Sequence, residues 1–229
     1  MKIGIIGAME EEIRVLKTRI HDVDIVRYQN IDHYVGRIGE HEVVLVESGI
    51  GKVNATISVT LLKEHFNVDA IINSGSAGAI DAGLKVGDIV IAHSLSYHDV
   101  DVTGFGYQLG QMAGMPEAYY SDTELMRTAQ AACRQAGVEP ILGLIVSGDQ
   151  FIDSQEEIQR IQASFPKARA CEMESTAIAQ ACHQLGLPFV IIRAISDQAD
   201  GDAPMTFDEF ILMVGKVTSD IVFRTIELA

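Results

Sequence analysis

Short apolar runs alternate with stretches of helical period along most of the chain. Lys2–Ile6 is apolar and closed by Gly7, and predicts a buried strand. Ile13, Leu16 and Ile20 recur at helical spacing and predict a helix from Glu10 to Ile20. Val23–Tyr28 and His33–Ile38 predict two strands joined by a polar turn, and Glu42–Glu47 a third. Ser48-Gly49-Ile50-Gly51 reads as a glycine loop before an amphipathic helix over Lys52–Phe66. Asp69–Asn73 predicts a buried strand leading into a second small-residue loop, Ser74-Gly75-Ser76-Ala77-Gly78. Asp88–His93 predicts a strand with room to extend to Tyr97. From His98 to Tyr119, Gly, Met and aromatic residues occur without a period, which predicts a long functional or interface loop. The rest alternates again: a helix over Asp122–Ala136, a strand over Ile141–Val146, a helix over Ser154–Ala163, a strand over Ala168–Met173 and a helix over Ser175–Leu185. A strand over Phe189–Ile195 and a polar loop over Ser196–Met205 follow. The last helix, Phe207–Glu227, carries Phe210, Ile211, Val214, Val217 and Ile221 on one face.

Strands alternating with helices predict an α/β layered domain around a mainly parallel sheet. The chain has 229 residues, 48% of them hydrophobic, enough to enclose one large core. No linker, low-complexity run or repeat divides it, so 1–229 is read as one domain. Ligands of such sheets bind at the carboxyl ends of strands. The polar groups expected there are Glu10–Glu12, Ser48–Gly51, Ser74–Gly78, Gly148–Ile152, Met173-Glu174 and Ser196-Asp197.

Charge narrows the classes. With 17 basic against 32 acidic residues and a net charge of −15, a clustered basic surface for nucleic acid or an anionic membrane is not expected. Cys133, Cys171 and Cys182 have no disulfide spacing, and Cys182-His183 lacks a second ligand pair, so no metal is expected. The apolar run at the N-terminus is too short for a signal peptide and is followed by acids. No stretch approaches ~18 apolar residues, so no membrane span is expected. A cytoplasmic location follows as the expectation.

The candidate chemistry is carboxylate chemistry. GIIGAM lacks the G-x-G-x-x-G spacing, and Glu10, Glu11 and Glu12 would repel a pyrophosphate at the helix start, which weakens a dinucleotide reading. The same acids would also complement a helix dipole, without any ligand. NSGSAG is equally an ordinary tight turn or a loop that lets a ligand approach the backbone. In ACEMES, Glu172 and Glu174 are two apart, so a continuing strand would point both to one face. They are either solvated at its end or bind something. Arg193 could pair with a carboxylate and Asp197 could cap a turn. Each feature is ambiguous singly. Together they place three carboxylates at three strand ends of one sheet.

MKIGIIGAMEEE, ESGIGKVNA, INSGSAGAI, VGDIVIAHSLSYHDVDVT-GFGY, IVSGDQFI, ACEMESTAIA and RAISDQAD together resemble the 5′-methylthioadenosine/S-adenosylhomocysteine nucleosidases of the purine nucleoside phosphorylase superfamily. The resemblance runs from residue 1 to the last helix. It implies a single three-layer α/β/α domain with a central mixed, mostly parallel twisted sheet. It implies that Glu12 activates water, helped by Ser76 and Arg193, and that Asp197, beside Ser196, is the acid toward adenine N7. Met173 and Glu174 would hold the ribose, Phe151 would stack on adenine, and the Ile152 backbone would read its edge. Met9, Ile50, Gly78 and Phe207 would line the pocket. Val102 and Phe105 would reach the 5′-alkylthio site of a partner subunit in a homodimer, with the 98–120 loop near the interface. No cofactor is implied.

The nucleophile is a separate question. Phosphate-using relatives carry Arg where Gly87 stands and a basic residue where this chain has Glu10–Glu12. Carboxylates repel phosphate but can activate neutral water, so hydrolysis is expected. The competing readings are a nucleoside-binding protein that kept the fold and lost activity, and an NAD- or FAD-dependent enzyme.

Overall fold

The computed structural model describes the backbone of residues 1–197 and 207–229, and the side chains of 1–196 and 215–229. The elements are β1 (Lys2–Gly7), α1 (Glu10–Lys17), β2 (His21–Tyr28), β3 (Ile31–Ile38), β4 (His41–Glu47), α2 (Lys52–Phe66), β5 (Ala70–Ala79), β6 (Ile89–Tyr97), β7 (Tyr119–Tyr120), α3 (Thr123–Gln135), β8 (Ile141–Ser147), α4 (Gln155–Ser164), β9 (Ala168–Glu172), α5 (Ser175–Leu185), β10 (Phe189–Asp197) and α6 (Phe207–Leu228). A 3₁₀ turn at Thr103–Phe105 interrupts the segment between β6 and β7.

All strands belong to one sheet ordered β10-β6-β8-β9-β5-β1-β4-β3-β2, with β7 on β6. β5 also pairs with β10, so β10, β6, β8, β9 and β5 close into a ring from which β1, β4, β3 and β2 fan out. β1 alternates its faces: Ile3 and Ile5 join the core under α1, α3 and α6, while Ile6 joins the core under α2 and α5. Helices therefore cover both faces, which is why the central strands read as continuous apolar runs. A smaller cluster seats α4 through Ile158 and Ile161 against Ile152 and Cys171.

The layered α/β class holds, but the sheet is evenly mixed rather than mostly parallel. β1–β4, β1–β5, β5–β10, β6–β8 and β8–β9 are parallel; β2–β3, β3–β4, β5–β9, β6–β7 and β6–β10 are antiparallel. Antiparallel pairs form at the hairpin edge and where the ring closes, and apolar runs do not reveal strand direction.

Several boundaries also differ. Ser74–Gly78 is not a loop: β5 runs through it to Ala79, paired with β10 on one side. Small residues carry little strand signal, and tertiary pairing overrides it. α1 stops at Lys17, because Thr18 closes the last turn; Ile20 still points inward and is buried. β9 ends at Glu172, and β10 continues through Ser196 to Asp197, so those two residues are strand. Residues 198–205 of the expected loop lie outside the described residues. α2 is less amphipathic than expected, burying Ala55, Val59 and Leu62 but exposing Val53 and Ile57.

Candidate active site

The divergence of β1 and β9 from β5 creates the site. β1 pairs with β5 as far as Asn73, and β9 begins pairing at Gly78. Among the described residues, 74–77 have no strand partner on that edge. A buried amide there requires another acceptor, and Glu12 supplies it. Glu12 Oε1 accepts from Ser76 N at 2.9 Å and Ser76 Oγ at 3.1 Å. Its Oε2 accepts from Ala8 N at 2.8 Å and Met9 N at 3.3 Å. The last contact makes Glu12, the third residue of α1, a helix-capping acid. Glu12 is also buried on the wall of a pocket, so the capping and ligand readings of this acid are compatible. Glu10 instead pairs with Lys17 on the surface side.

Gly75 makes this geometry possible. A Cβ there would lie 2.1 Å from Arg193 Nη1 and 2.7 Å from Glu12 Oε1. Both groups occupy space that any other residue would fill.

Behind the pocket, Arg193 is fully buried and organises two further acids. Its Nη2 bonds to Glu172 Oε2, lies 3.5 Å from Glu174 Oε2 and donates to Asn73 Oδ1 at 2.8 Å. Glu172 and Glu174 do not share a strand face, because the chain turns at Met173. Glu172 folds back instead, accepting from Glu174 N at 3.1 Å and Ser175 N at 2.9 Å, where α5 begins. A carboxylate at that helix start meets unpaired amides and the positive end of the dipole. Ser147 Oγ also donates to it.

Glu174 is left less well compensated. Its Oε1 accepts from Gly51 N at 2.9 Å, just before α2. Burial and the Glu172 carboxylate push its pKa up to about 7, with Glu12 adding to the rise, against the pull of Arg193 and the Gly51 amide. Three buried carboxylates share one buried guanidinium, an arrangement suited to positive charge arriving in the pocket.

The remaining walls are largely apolar. Met9, Ile50, Gly78, Phe151, Ile152 and Met173 line the same pocket as Glu12, Ser76, Glu174 and Ser196. Ile152 is buried, whereas Ile50 and Phe151 are exposed at 51% and 61%. Ser196 Oγ reaches Ala77 O at 3.3 Å. Asp197 pairs through its backbone with pocket-lining Gly78; its side chain and that of Phe207 lie outside the described side chains. Arg193 stands behind the lining. Val102 packs on the core and Phe105 is 84% exposed, and neither lines this pocket within the chain. Ala77 and Gln150 also line the pocket, within the strand-end groups read from the sequence; Ala8 and Cys171, which line it too, and Asn73, Ser147 and Ser175, which hold its acids, lie outside those groups. No chemical signal in the chain marks these small or neutral residues.

Metal-ligating clusters are absent among the described residues. Cys182 is a buried thiol, with its pKa raised by burial, and neighbouring His183 stands edge-on to Tyr119.

Residues 2–227 match the model of the phosphorylase superfamily. The chain is 51% identical to the 5′-methylthioadenosine/S-adenosylhomocysteine nucleosidase of Staphylococcus carnosus (strain TM300), over 98% of this chain and 99% of that one. Among solved structures, the 5′-methylthioadenosine/S-adenosylhomocysteine nucleosidase of S. pneumoniae with the transition-state inhibitor MT-ImmA is similar, at 46% identity and TM-score 0.94, covering 99% of each chain. The Neisseria meningitidis enzyme in complex with methylthio-immucillin-A has 44% identity and TM-score 0.95, covering 99% of this chain and 98% of that one.

Proposed function

The chain belongs to the phosphorylase superfamily and, within it, to the 5′-methylthioadenosine/S-adenosylhomocysteine nucleosidases, and we propose that it hydrolyses the adenine–ribose bond of these 5′-thio-substituted adenosines. 5′-Deoxyadenosine fits the same reading. The observation that carries it is the convergence of Glu12, Ser76 and Glu174 on a pocket whose other walls are apolar.

In this reading the water oxygen attacks C1′ while Glu12 takes a water proton. The C1′–N9 bond breaks with its electron pair moving to adenine, and Asp197 donates a proton at N7. The sugar becomes oxocarbenium-like on the way. Glu174 lies at the ribose hydroxyls with Met173, and its negative charge stabilises the cation more in the transition state than in the ground state. Arg193 keeps Glu174 and the Ser76 carbonyl in place; its Nη1 is 3.3 Å from Ser76 O. Phe151 stacks on adenine, the Ile152 backbone reads its edge, and Met9, Ile50, Gly78, Ser196 and Phe207 complete the pocket.

Water, rather than phosphate, is the nucleophile. The nucleophile end carries the Glu12 carboxylate, and Gly87, where phosphate users have Arg, has no side chain to offer. Gly87 sits at φ +93°, and a Cβ placed there would meet nothing within 4 Å.

Ile50, Val53, Ile57 and Phe105 expose apolar surface, which fits a homodimer in which Val102 and Phe105 complete the partner's 5′-alkylthio site. Sedimentation at the dimer mass is expected; a fully active monomer contradicts it. The whole chain acts as one domain. Among the described residues, no helix is long and apolar enough to cross a membrane, and three buried, unbridged cysteines fit a reducing cytoplasm. The products suit methionine salvage.

Incubation with methylthioadenosine tests the proposal. Free adenine is expected; nucleoside binding with no adenine release would leave only a binding protein.

A further inference from the structure

Lys52, the first residue of α2, joins three segments around the pocket. Its backbone N donates to Asp149 Oδ1 at 3.0 Å. Its ammonium lies 2.8 Å from Asp99 Oδ2 and 3.5 Å from Asp149 Oδ2. The same Asp99 oxygen accepts from Asp149 N at 2.9 Å. One residue earlier, Gly51 N holds Glu174; two residues after Asp149 stands Phe151. The junction therefore connects the helix start that holds Glu174, the loop that carries Phe151 and Ile152, and the segment leaving β6.

The contact is close as well as charged. A Cβ at Gly148 would lie 2.4 Å from His98 Nε2 and 3.0 Å from Asp99 Cγ, so the loop rests directly on residues 98 and 99. Burial opposes the Asp99 carboxylate, yet the Lys52 ammonium and the Asp149 amide hold its pKa below the usual range. The Lys52, Asp99 and Asp149 side chains are 22%, 25% and 52% exposed. Ion pairs that open to water contribute little to overall stability. What this one can supply is register, because the ammonium bridges the two carboxylates, Asp99 and Asp149, that cap the Asp149 and Lys52 amides.

We propose that Lys52 is a positioning residue for the adenine end of the pocket. It fixes the Phe151–Ile152 loop relative to the helix start that orients Glu174. The inference rests on assigning Phe151 and Ile152 to adenine. It predicts that loosening the junction weakens adenine recognition and leaves bond cleavage nearly intact.

The test compares wild type, Lys52→Met, Lys52→Arg, Asp99→Asn and the Lys52→Met/Asp99→Asn double variant, using methylthioadenosine kinetics and calorimetric binding of adenine. Wild-type adenine release checks the functional reading by itself. Given that release, Lys52→Met is expected to raise KM and the adenine Kd roughly tenfold, the scale of one lost charge-assisted hydrogen bond, with little change in kcat. Lys52→Arg should recover most of the loss. The double variant should be no worse than Lys52→Met, because both remove one junction. Unchanged KM and Kd in Lys52→Met would overturn the proposal, as would a fall in kcat with KM unaltered.

Discussion

Glu12 accepts both the backbone amide and the hydroxyl of Ser76 through one carboxylate oxygen, at 2.9 Å and 3.1 Å. That relationship fixes the acid at a gap in the β5 edge, and its other oxygen is held by Ala8 and Met9. Both oxygens act purely as acceptors toward the backbone.

Glu12→Gln should therefore lose more than the proposed base. Whichever way the amide turns, its NH₂ faces a backbone N–H, a donor–donor conflict that costs about 1–3 kcal/mol. Turnover should fall on the order of 10²–10⁴-fold while adenine still binds. Steady-state kinetics and adenine calorimetry check this; unchanged kcat would remove Glu12 from the chemistry.

Gly75→Ala inserts a methyl where Arg193 Nη1 and Glu12 Oε1 already stand. Both are side-chain ends held by hydrogen bonds, and making room for the methyl breaks some of them. Overpacking of this kind costs roughly 1–3 kcal/mol, and displacing the base by an ångström costs about 10²-fold in rate. Thermal melting and kcat should both drop. A variant with wild-type values for both would contradict the close approach.

Glu174 predicts opposite pH trends for stability and activity. Its folded pKa of about 7 lies above the ordinary carboxylate value. Its stabilising contribution is therefore complete below that ordinary value and is lost as pH rises through about 7. In the proposed mechanism the carboxylate form stabilises the ribosyl cation, so kcat/KM of the free enzyme should rise about tenfold between pH 6 and pH 8. Glu174→Gln should abolish this limb, weaken ribose binding and melt higher than wild type at pH 8. A variant that retains the limb would assign the titration elsewhere.

In the proposed mechanism Asp197 gives a proton to adenine N7, and Asp197→Asn removes that proton. Asp197 ends β10 opposite Gly78, at the pocket margin. Turnover should fall roughly 10²–10⁴-fold with nucleoside still bound, as adenine release and equilibrium binding can measure. Normal turnover would refute the acid role.

The pocket acids were more legible in the sequence than the supports behind them. Glu12 and Glu174 stand out as acids following apolar strands, and the ring of β-strands places both on one pocket. Ser74–Gly78 reads as a loop because Ser, Gly and Ala carry no strand signature; its extended form is imposed by β10, more than a hundred residues away in the chain. Glu172 and Glu174 look like partners on one strand face; both line the pocket, but the turn at Met173 sends Glu172 back to the start of α5 and Glu174 to the Gly51 amide. The Arg193–Asn73 bond spans 120 positions, and the Lys52–Asp149 bond spans 97. Such pairings follow from topology, which local spacing does not encode. The exposed Val53 and Ile57 of α2 likewise break the period that suggested a conventional amphipathic helix.

The most direct measurement is product analysis by mass spectrometry after methylthioadenosine turnover in phosphate buffer and in phosphate-free buffer. Adenine and methylthioribose in equal amounts, formed at the same rate in both, is the predicted result. Methylthioribose 1-phosphate, or adenine release that requires phosphate, would contradict water as the nucleophile.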